Sequence, residues 1–332
     1  MVVKGTILSG MRPTGRLHLG HQSVLDNWVG LQDEYNCFFM VADWHALTTG
    51  WEESKEIGQN TLEMVADWLA TGLDPNKSAI FRQSRILQHA ELHLMFSMVT
   101  PLSWLERVPT YKDQIQKLGE IGKDINTYGF LGYPLLQAAD ILLYKANAVP
   151  VGEDQLPHIE LTREVARRFN HLFKPVFPEP QGIVKKEVAV LPGIDGAKMS
   201  KSYHNYISIG ADPEEIKKNV NLMITDPARI RKTDPGNPEV CVVHKFHRIY
   251  NPDLLESIEE ACRGGRIGCV ACKKQLAGSL EQHSAGVRER RQEILSKPGY
   301  IEEVLRDGEE RARVVAGKTM EEVREAIFGG QA

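Results

Sequence analysis

The 332-residue sequence predicts an α/β protein, a doubly wound parallel sheet joined to a smaller all-α domain. Three observations carry that expectation. Strand-like and helix-like segments alternate through the first half. An unbroken apolar run, Cys37-Phe38-Phe39-Met40-Val41-Ala42, has the pattern of a strand buried on both faces. Beyond residue 203 helical periodicity continues and strand signals nearly vanish.

The elements follow in order. Residues 6–9 form a first strand that ends in a Pro/Gly turn, and an amphipathic helix spans 21–32. The second strand runs through the apolar stretch to Asp43. A helix over 53–71 stops at Gly72, and residues 78–81 make a third strand. A sheet of this kind binds ligands beyond the carboxyl ends of its strands. In the second half, residues 212–223, 254–262, 270–291 and 300–327 read as helices. These patterns divide the chain into domains at 1–203 and 204–332, with the last helix free to pack back on the first.

Composition narrows the class. Hydrophobic residues make up 42% and charged residues 25%, values typical of a globular protein. No run of about 18 apolar residues occurs, and the first ten residues carry no apolar leader, so a cytoplasmic location is expected. The net charge of −4 does not announce a nucleic-acid partner, but a local basic patch would suffice for one.

Two segments carry phosphate chemistry. The first turn reads Ser9-Gly10-Met11-Arg12-Pro13-Thr14-Gly15-Arg16-Leu17-His18-Leu19-Gly20-His21. Its glycines let phosphates approach the backbone, and the helix that starts near Gly20 points free N–H groups at them. His18 and His21 can donate to charge developing on an α-phosphate. Gly15 and Gly20 have P-loop spacing, but His21-Gln22 stands where Lys-Ser/Thr is required. The second segment, Lys198-Met199-Ser200-Lys201-Ser202, follows a turn-rich stretch at 192–196. Its two lysines can clamp a departing pyrophosphate. Alone, each segment also fits a solvated loop.

Together they resemble the H-I-G-H and K-M-S-K-S signatures of class I aminoacyl-tRNA synthetases, with Leu19 as the one departure. The resemblance implies a Rossmann-like catalytic domain that uses ATP with Mg2+, with His18, His21, Lys198 and Lys201 as catalytic residues. The implied ATP site comprises Arg12, Pro13, Thr14, Gly20, His21, Gly152, Glu153, Asp154, Lys198, Met199, Ser200, Lys201 and Ser202. Lys112 is a further candidate to reach ATP.

Tyr133, Gln137, Asp140 and Tyr144 share one helix face, which is either a plain polar stripe or a recognition surface. Gly152-Glu153-Asp154-Gln155 follows a short apolar strand. This region, with Ala42-Asp43-Trp44-His45, His158-Ile159-Glu160-Leu161-Thr162-Arg163-Glu164, Arg168-Phe169-Asn170 and Thr225-Asp226-Pro227, resembles the tryptophanyl-tRNA synthetases over nearly the whole chain. The resemblance implies that Asp140 accepts the indole N–H, while Leu8, Tyr133, Gln137, Val149, Val151 and Gln155 line the tryptophan pocket. Indole nitrogen only donates, so a carboxylate suits it, and a site built on that bond rejects ligands lacking it. Gln137 stands where many bacterial members have methionine and is reminiscent of tyrosyl-tRNA synthetases, which keeps tyrosine as an alternative substrate. The implied reaction is attack of the tryptophan carboxylate on the α-phosphate, then transfer to the terminal ribose of tRNA(Trp). A homodimer is implied too, and no inserted editing domain is visible.

Four of the five cysteines, Cys241, Cys262, Cys269 and Cys272, form C-x20-C-x6-C-x2-C. Four thiolates can hold zinc or a [4Fe–4S] cluster. Some bacterial tryptophanyl-tRNA synthetases resemble this pattern, which implies an iron–sulfur cluster shaping a helical anticodon-binding domain, with zinc as the alternative. Cys37 reads as a core residue. His89, Glu91 and His93 have the wrong order for a metalloprotease and are expected on a helix surface. Arg229, Arg231, Lys232, Lys273 and Lys274 could touch RNA phosphate or simply be solvated. Two other classes compete: a small-molecule adenylyl- or cytidylyltransferase sharing H-x-G-H, and a non-catalytic iron–sulfur RNA-binding protein. The helical second domain opposes the first, and the intact signature pair opposes the second.

Overall fold

The computed structural model describes residues 3–109, 125–184 and 191–329. Five parallel strands form one sheet: β1 (Thr6–Met11), β2 (Asn36–Val41), β3 (Ser78–Arg82), β4 (Ala148–Pro150) and β5 (Gln181–Ile183). Their spatial order is β3-β2-β1-β4-β5, so the chain reverses direction of growth between β1 and β4. That reversal opens a crevice at the carboxyl ends of the two strands.

Alternation along the strands builds the two layers. Leu8, Phe38, Met40 and Phe81 face one side, where α4 (Gln88–Val99), α6 (Tyr128–Leu143), α7 (Leu156–Leu172) and α12 (Tyr300–Phe328) cover them. Ile7, Phe39, Val41 and Ile80 face the other, against Trp28 of α1 (Gln22–Leu31) and Trp68 of α3 (Ile57–Thr71). Two short helices, α2 (Asp43–Gly50) and α5 (Leu102–Glu106), fill the crossovers.

The expected helix start at 53 moved. Residues 51–56 wind as a tighter 3-10 stretch with a kink at Glu53, and α3 begins at Ile57. All six residues are exposed, so no core contact holds them in α geometry. The stop at Gly72 is as expected, with φ of 115° and its N–H on Trp68 and Leu69 carbonyls.

The second half contains α8 (Pro213–Leu222), α9 (Val242–Tyr250), α10 (Leu255–Arg263), α11 (Cys269–Leu295) and α12. Sequence periodicity anticipated all but α9, whose opening Val-Val pair carries strand-like propensity. A third apolar cluster joins these helices to the signature segments, since Leu19, Met199 and Ile207 pack with Ile216, Phe246 and Leu276. Among the described residues, no helix is long and apolar enough to cross a membrane.

Helix α12 covers the outer strand of the sheet. Arg311 donates to the carbonyls of Pro75 and Ser78 at 2.6 and 2.8 Å, and Glu309 pairs with Arg82 at 2.6 Å. Gly308 permits this approach: a Cβ there would stand 2.0 Å from the Ile80 carbonyl oxygen. Backbone cannot yield as a side-chain tip can. Gly308→Ala should therefore cost about 1–3 kcal/mol, despite alanine's better helix propensity. A chemical denaturation curve checks this; unchanged or increased stability would contradict it.

Candidate active site

A cavity of about 600 Å³ lies at the carboxyl ends of β1, β2 and β4. Its walls include all seven residues expected to hold the amino acid: Leu8, Tyr133, Gln137, Asp140, Val149, Val151 and Gln155. Arg12, His21, Gly152 and Asp154 of the expected nucleotide set line it as well. Pro13, Thr14, Gly20, His18, Glu153 and the 198–202 segment are not on this wall.

The two signature segments nevertheless meet. Lys201 Nζ donates to Thr14 O at 2.6 Å across 187 residues of sequence. Met199 is buried, and its Sδ lies 3.6 Å from where a Gly20 Cβ would stand. The loop turns at Gly15, whose φ of 88° favours glycine.

After it, His18 caps a short 3-10 turn, Leu19–His21, that leads into α1. The two imidazoles lie 3.9 Å apart, and His18 N–H donates to His21 Nδ1 at 3.3 Å. That bond leaves the His21 proton on Nε2, free to donate. Burial, then the neighbouring His21 and Lys201, push His18 down to about 3. Burial and Lys201 push His21 down to about 4. Both rings are thus neutral donors near pH 7. Burial also brings Lys201 down to about 8.

The cavity's most buried polar group is Asp140, 1% exposed on α6. Its Oδ1 accepts from Gln83 Nε2 at 2.8 Å and pairs with His89 Nδ1 at 2.7 Å. Its Oδ2 pairs with His45 Nε2 at 2.8 Å and accepts a longer contact from Gln83 at 3.0 Å. Burial alone would raise this carboxyl. The hydrogen bonds and charge of His45 and His89 outweigh it and hold Asp140 well below the usual carboxylate range. His89 passes the network on to the Tyr144 hydroxyl at 2.9 Å.

Sequence reasoning missed these partners. His89 is fully buried, not on a helix surface as expected, because Asp140 supplies the partner its ring requires. His45 follows β2 directly, and that position at a strand's carboxyl end was the available signal. Lys112 lies outside the described residues.

The metal expectation is corrected. Among the described residues, no group of three or more His, Cys, Asp or Glu side chains is placed to hold a metal ion. Cys241, Cys262, Cys269 and Cys272 are free thiols. The Arg229 guanidinium lies 3.8 Å from Cys262 Sγ and 4.0 Å from Cys269 Sγ, while it also donates to the Ile267 and Lys232 carbonyls. Cys272 Sγ pairs with His247 Nε2 at 3.4 Å, and Cys241 and Cys272 pack against the third apolar cluster. Burial, and the proximity of the other cysteines, raise the thiols of Cys241, Cys262 and Cys272, the last to about 12. Neither an iron–sulfur cluster nor zinc is retained. Lys273, a candidate RNA contact, donates to the Asn221 carbonyl at 2.8 Å, whereas Arg231 and Lys232 are exposed.

A doubly wound sheet with these two loops facing each other at its crevice defines the class I synthetase architecture. A family model described as tRNA synthetases class I (W and Y) matches residues 3–284. The tryptophan–tRNA ligase of Thermotoga maritima is 52% identical over 325 residues, covering 97% of this chain and 98% of that protein. That of Aquifex aeolicus is 46% identical, covering 97% and 99%. A Campylobacter jejuni tryptophanyl-tRNA synthetase, solved with ADP and tryptophan, superposes with a TM-score of 0.87 at 33% identity, covering 97% and 99%. The chain belongs to the class I tRNA synthetases of the tryptophan and tyrosine family, on its tryptophan–tRNA ligase branch.

The buried histidines make stability pH-dependent. The unfolded chain takes up protons on His18 and His21 near pH 6.5, before the folded chain does. Their contribution is complete above about 6.5 and is lost as pH falls through about 4 and 3. At pH 5 each could remove at most about 2 kcal/mol. Urea unfolding at pH 7 and pH 5 should show the loss, and a His18→Asn/His21→Asn double variant should show much less of it. Equal losses in both proteins would contradict the assignment.

Proposed function

We propose that the cavity is where the tryptophan carboxylate attacks the α-phosphate of Mg-ATP. The chain is an enzyme, a tryptophan–tRNA ligase that forms tryptophanyl-adenylate and pyrophosphate and then transfers tryptophan to tRNA(Trp). The observation that carries the reading is a single buried carboxylate, Asp140, set among apolar walls in the crevice beside the paired signature loops.

In this reading Leu8, Val149 and Val151 pack the indole, with Tyr133 and Gln155 at its rim. Both Asp140 oxygens are already engaged, so the indole N–H takes the place of the longer Gln83 contact at 3.0 Å. Gln137 lines the same cavity. Asp140 serves as an acceptor held charged by its histidine partners, and tyrosine offers no N–H in that position.

The nucleotide lies over the first turn. Arg12, Pro13, Thr14, Gly20, Gly152, Glu153 and Asp154 hold it, while His18 and His21 donate N–H groups to the α-phosphate oxygens. Met199, Ser200 and Ser202 seat the loop whose lysines, Lys198 and Lys201, follow the leaving pyrophosphate. The carboxylate oxygen bonds to phosphorus as the bond to pyrophosphate breaks, and no protein nucleophile takes part. Acceleration then comes from positioning and charge stabilisation.

The same proposal divides the chain into a catalytic domain at 1–203 and a helical anticodon-binding domain at 204–332, whose last helix, α12, packs back on the catalytic sheet. Exposed Ile230, Arg231 and Lys232 offer RNA an apolar and basic surface. The chain would work in the cytoplasm as a homodimer, for which exposed Leu87, Leu94, Met98 and Leu102 around α4 and α5 provide an apolar face.

Pyrophosphate exchange into ATP tests the reading. Exchange should depend on tryptophan, ignore tyrosine, and fall by about 10²-fold or more in Lys198→Ala. Exchange supported by tyrosine, or undiminished in the variant, would overturn it. Asp140→Asn should raise the tryptophan KM by at least about 10-fold, the cost of losing a charged acceptor. An unchanged KM would remove Asp140 from recognition.

A further inference from the structure

Asp67 lies on the buried face of α3, 1% exposed, between the H-x-G-H loop and the long helix α11. Its Oδ2 accepts the Leu17 backbone N–H at 2.6 Å, and its Oδ1 accepts Arg291 Nε at 2.7 Å. Arg291 also meets Glu63, one turn earlier on α3. The Leu17 carbonyl is held from the opposite side, where Ile209 N–H donates to it at 3.1 Å. Two residues on, Leu19 N–H donates to the Ile207 carbonyl at 2.9 Å.

The segment carrying Ile207 and Ile209 is itself tied to α11. Arg288 donates to the Ala211 carbonyl at 2.9 Å, and a Cβ on Gly210 would stand 3.6 Å from Arg288 Cα. The contacts therefore close into a ring: Arg291, Asp67, Leu17, Ile209, Ala211 and Arg288, beginning and ending on α11. The residue after Leu17 is His18.

Packing alone does not call for a carboxylate here. Burial raises the Asp67 carboxyl, and its bonds to Leu17 and Arg291 only partly offset that cost. An apolar side chain would often be as stable or more so at such a position. The same negative charge favours protonated Lys201, against burial and the repulsion of Arg16. One buried group thus bears on both signature segments.

We propose that Asp67 is a positioning residue for activation, fixing the Leu17 backbone against α11 so that His18 and Lys201 stay in register on ATP. The inference rests on the activation reading above. Asp67 touches no part of the amino-acid cavity, so its effect falls on the chemical step and spares tryptophan binding.

The test is Asp67→Asn in the full-length chain, assayed by tryptophan-dependent pyrophosphate exchange. Asparagine keeps the size and can still accept from Leu17, but it removes the charge facing Arg291 and Lys201. The kcat should fall by about 10- to 100-fold, with the tryptophan KM within about twofold of wild type. Lys201 is faced by Asp67 from α3 and by Thr14, Arg16, His18 and His21 from the loop, and only Asp67 among these is negative. The alkaline limb of kcat should therefore move to lower pH in the variant. A lowered melting temperature with an unmoved limb and unchanged kcat would mean that Asp67 only packs, and would overturn the proposal. Arg291→Gln tests the same ring should Asp67→Asn not fold. It should lower kcat comparably, and the double variant should be no worse than the poorer single, whereas additive losses would overturn the ring. Wild-type exchange separates the two levels: an inactive parent sinks the activation reading and this one with it, and an active parent with an equally active Asp67→Asn sinks this one alone.

Discussion

A carboxylate buried to 1% exposure needs donors around it, and much of this molecule is arranged to supply them to Asp140. The donors arrive from two stretches of sequence far from Asp140: His45 on α2, and Gln83 and His89 in the segment that follows β3. His45 belongs to the β2–β3 crossover and the other two to the β3–β4 crossover, so the network requires β2 and β3 to be aligned and α6 to be laid across them. The sheet order in turn leaves a crevice at β1 and β4, with Asp140 as its most deeply buried charge. Fold and recognition chemistry therefore share one constraint. Removing any one donor would leave a charged group short of partners in a medium where that is costly.

Electrostatics divide the site in two. Around Asp140 the excess is negative and compensated by histidines. Around the first turn it is positive, with Arg16 near Lys201, and two histidines held neutral by burial and by Lys201, with Lys198 also acting on His21. Such a positive turn suits an anionic ligand such as a triphosphate. A neutral imidazole that still donates an N–H there adds directionality without adding repulsion.

Legibility in the sequence followed the range of the forces involved. Helices α1, α3, α8, α10, α11 and α12 were readable because each repeats its own apolar face. Strand β5 was not: three residues around Gly182 have no pattern of their own, and their pairing with β4 makes the strand. Of the 23 residues that line the cavity, 11 were named, and those by resemblance, since nothing local says that Lys201 will meet Thr14. The partners of Asp140 escaped because a histidine in a helix looks the same whether it faces solvent or a carboxylate. The cysteines misled for the opposite reason. Their spacing resembles a ligand set, whereas among the described residues no group of three or more such side chains is placed to hold a metal, and Arg229 stands beside Cys262 and Cys269.

The central claim is that one buried carboxylate reads the indole N–H of the substrate. Calorimetry comparing tryptophan with its benzothiophene analogue, which puts sulfur in place of that N–H with little change of shape, tests it most directly. The account predicts about 10- to 100-fold weaker binding of the analogue, the cost of leaving a charged acceptor unpaired. Equal affinity for the two would contradict it and return the pocket to recognition by shape alone.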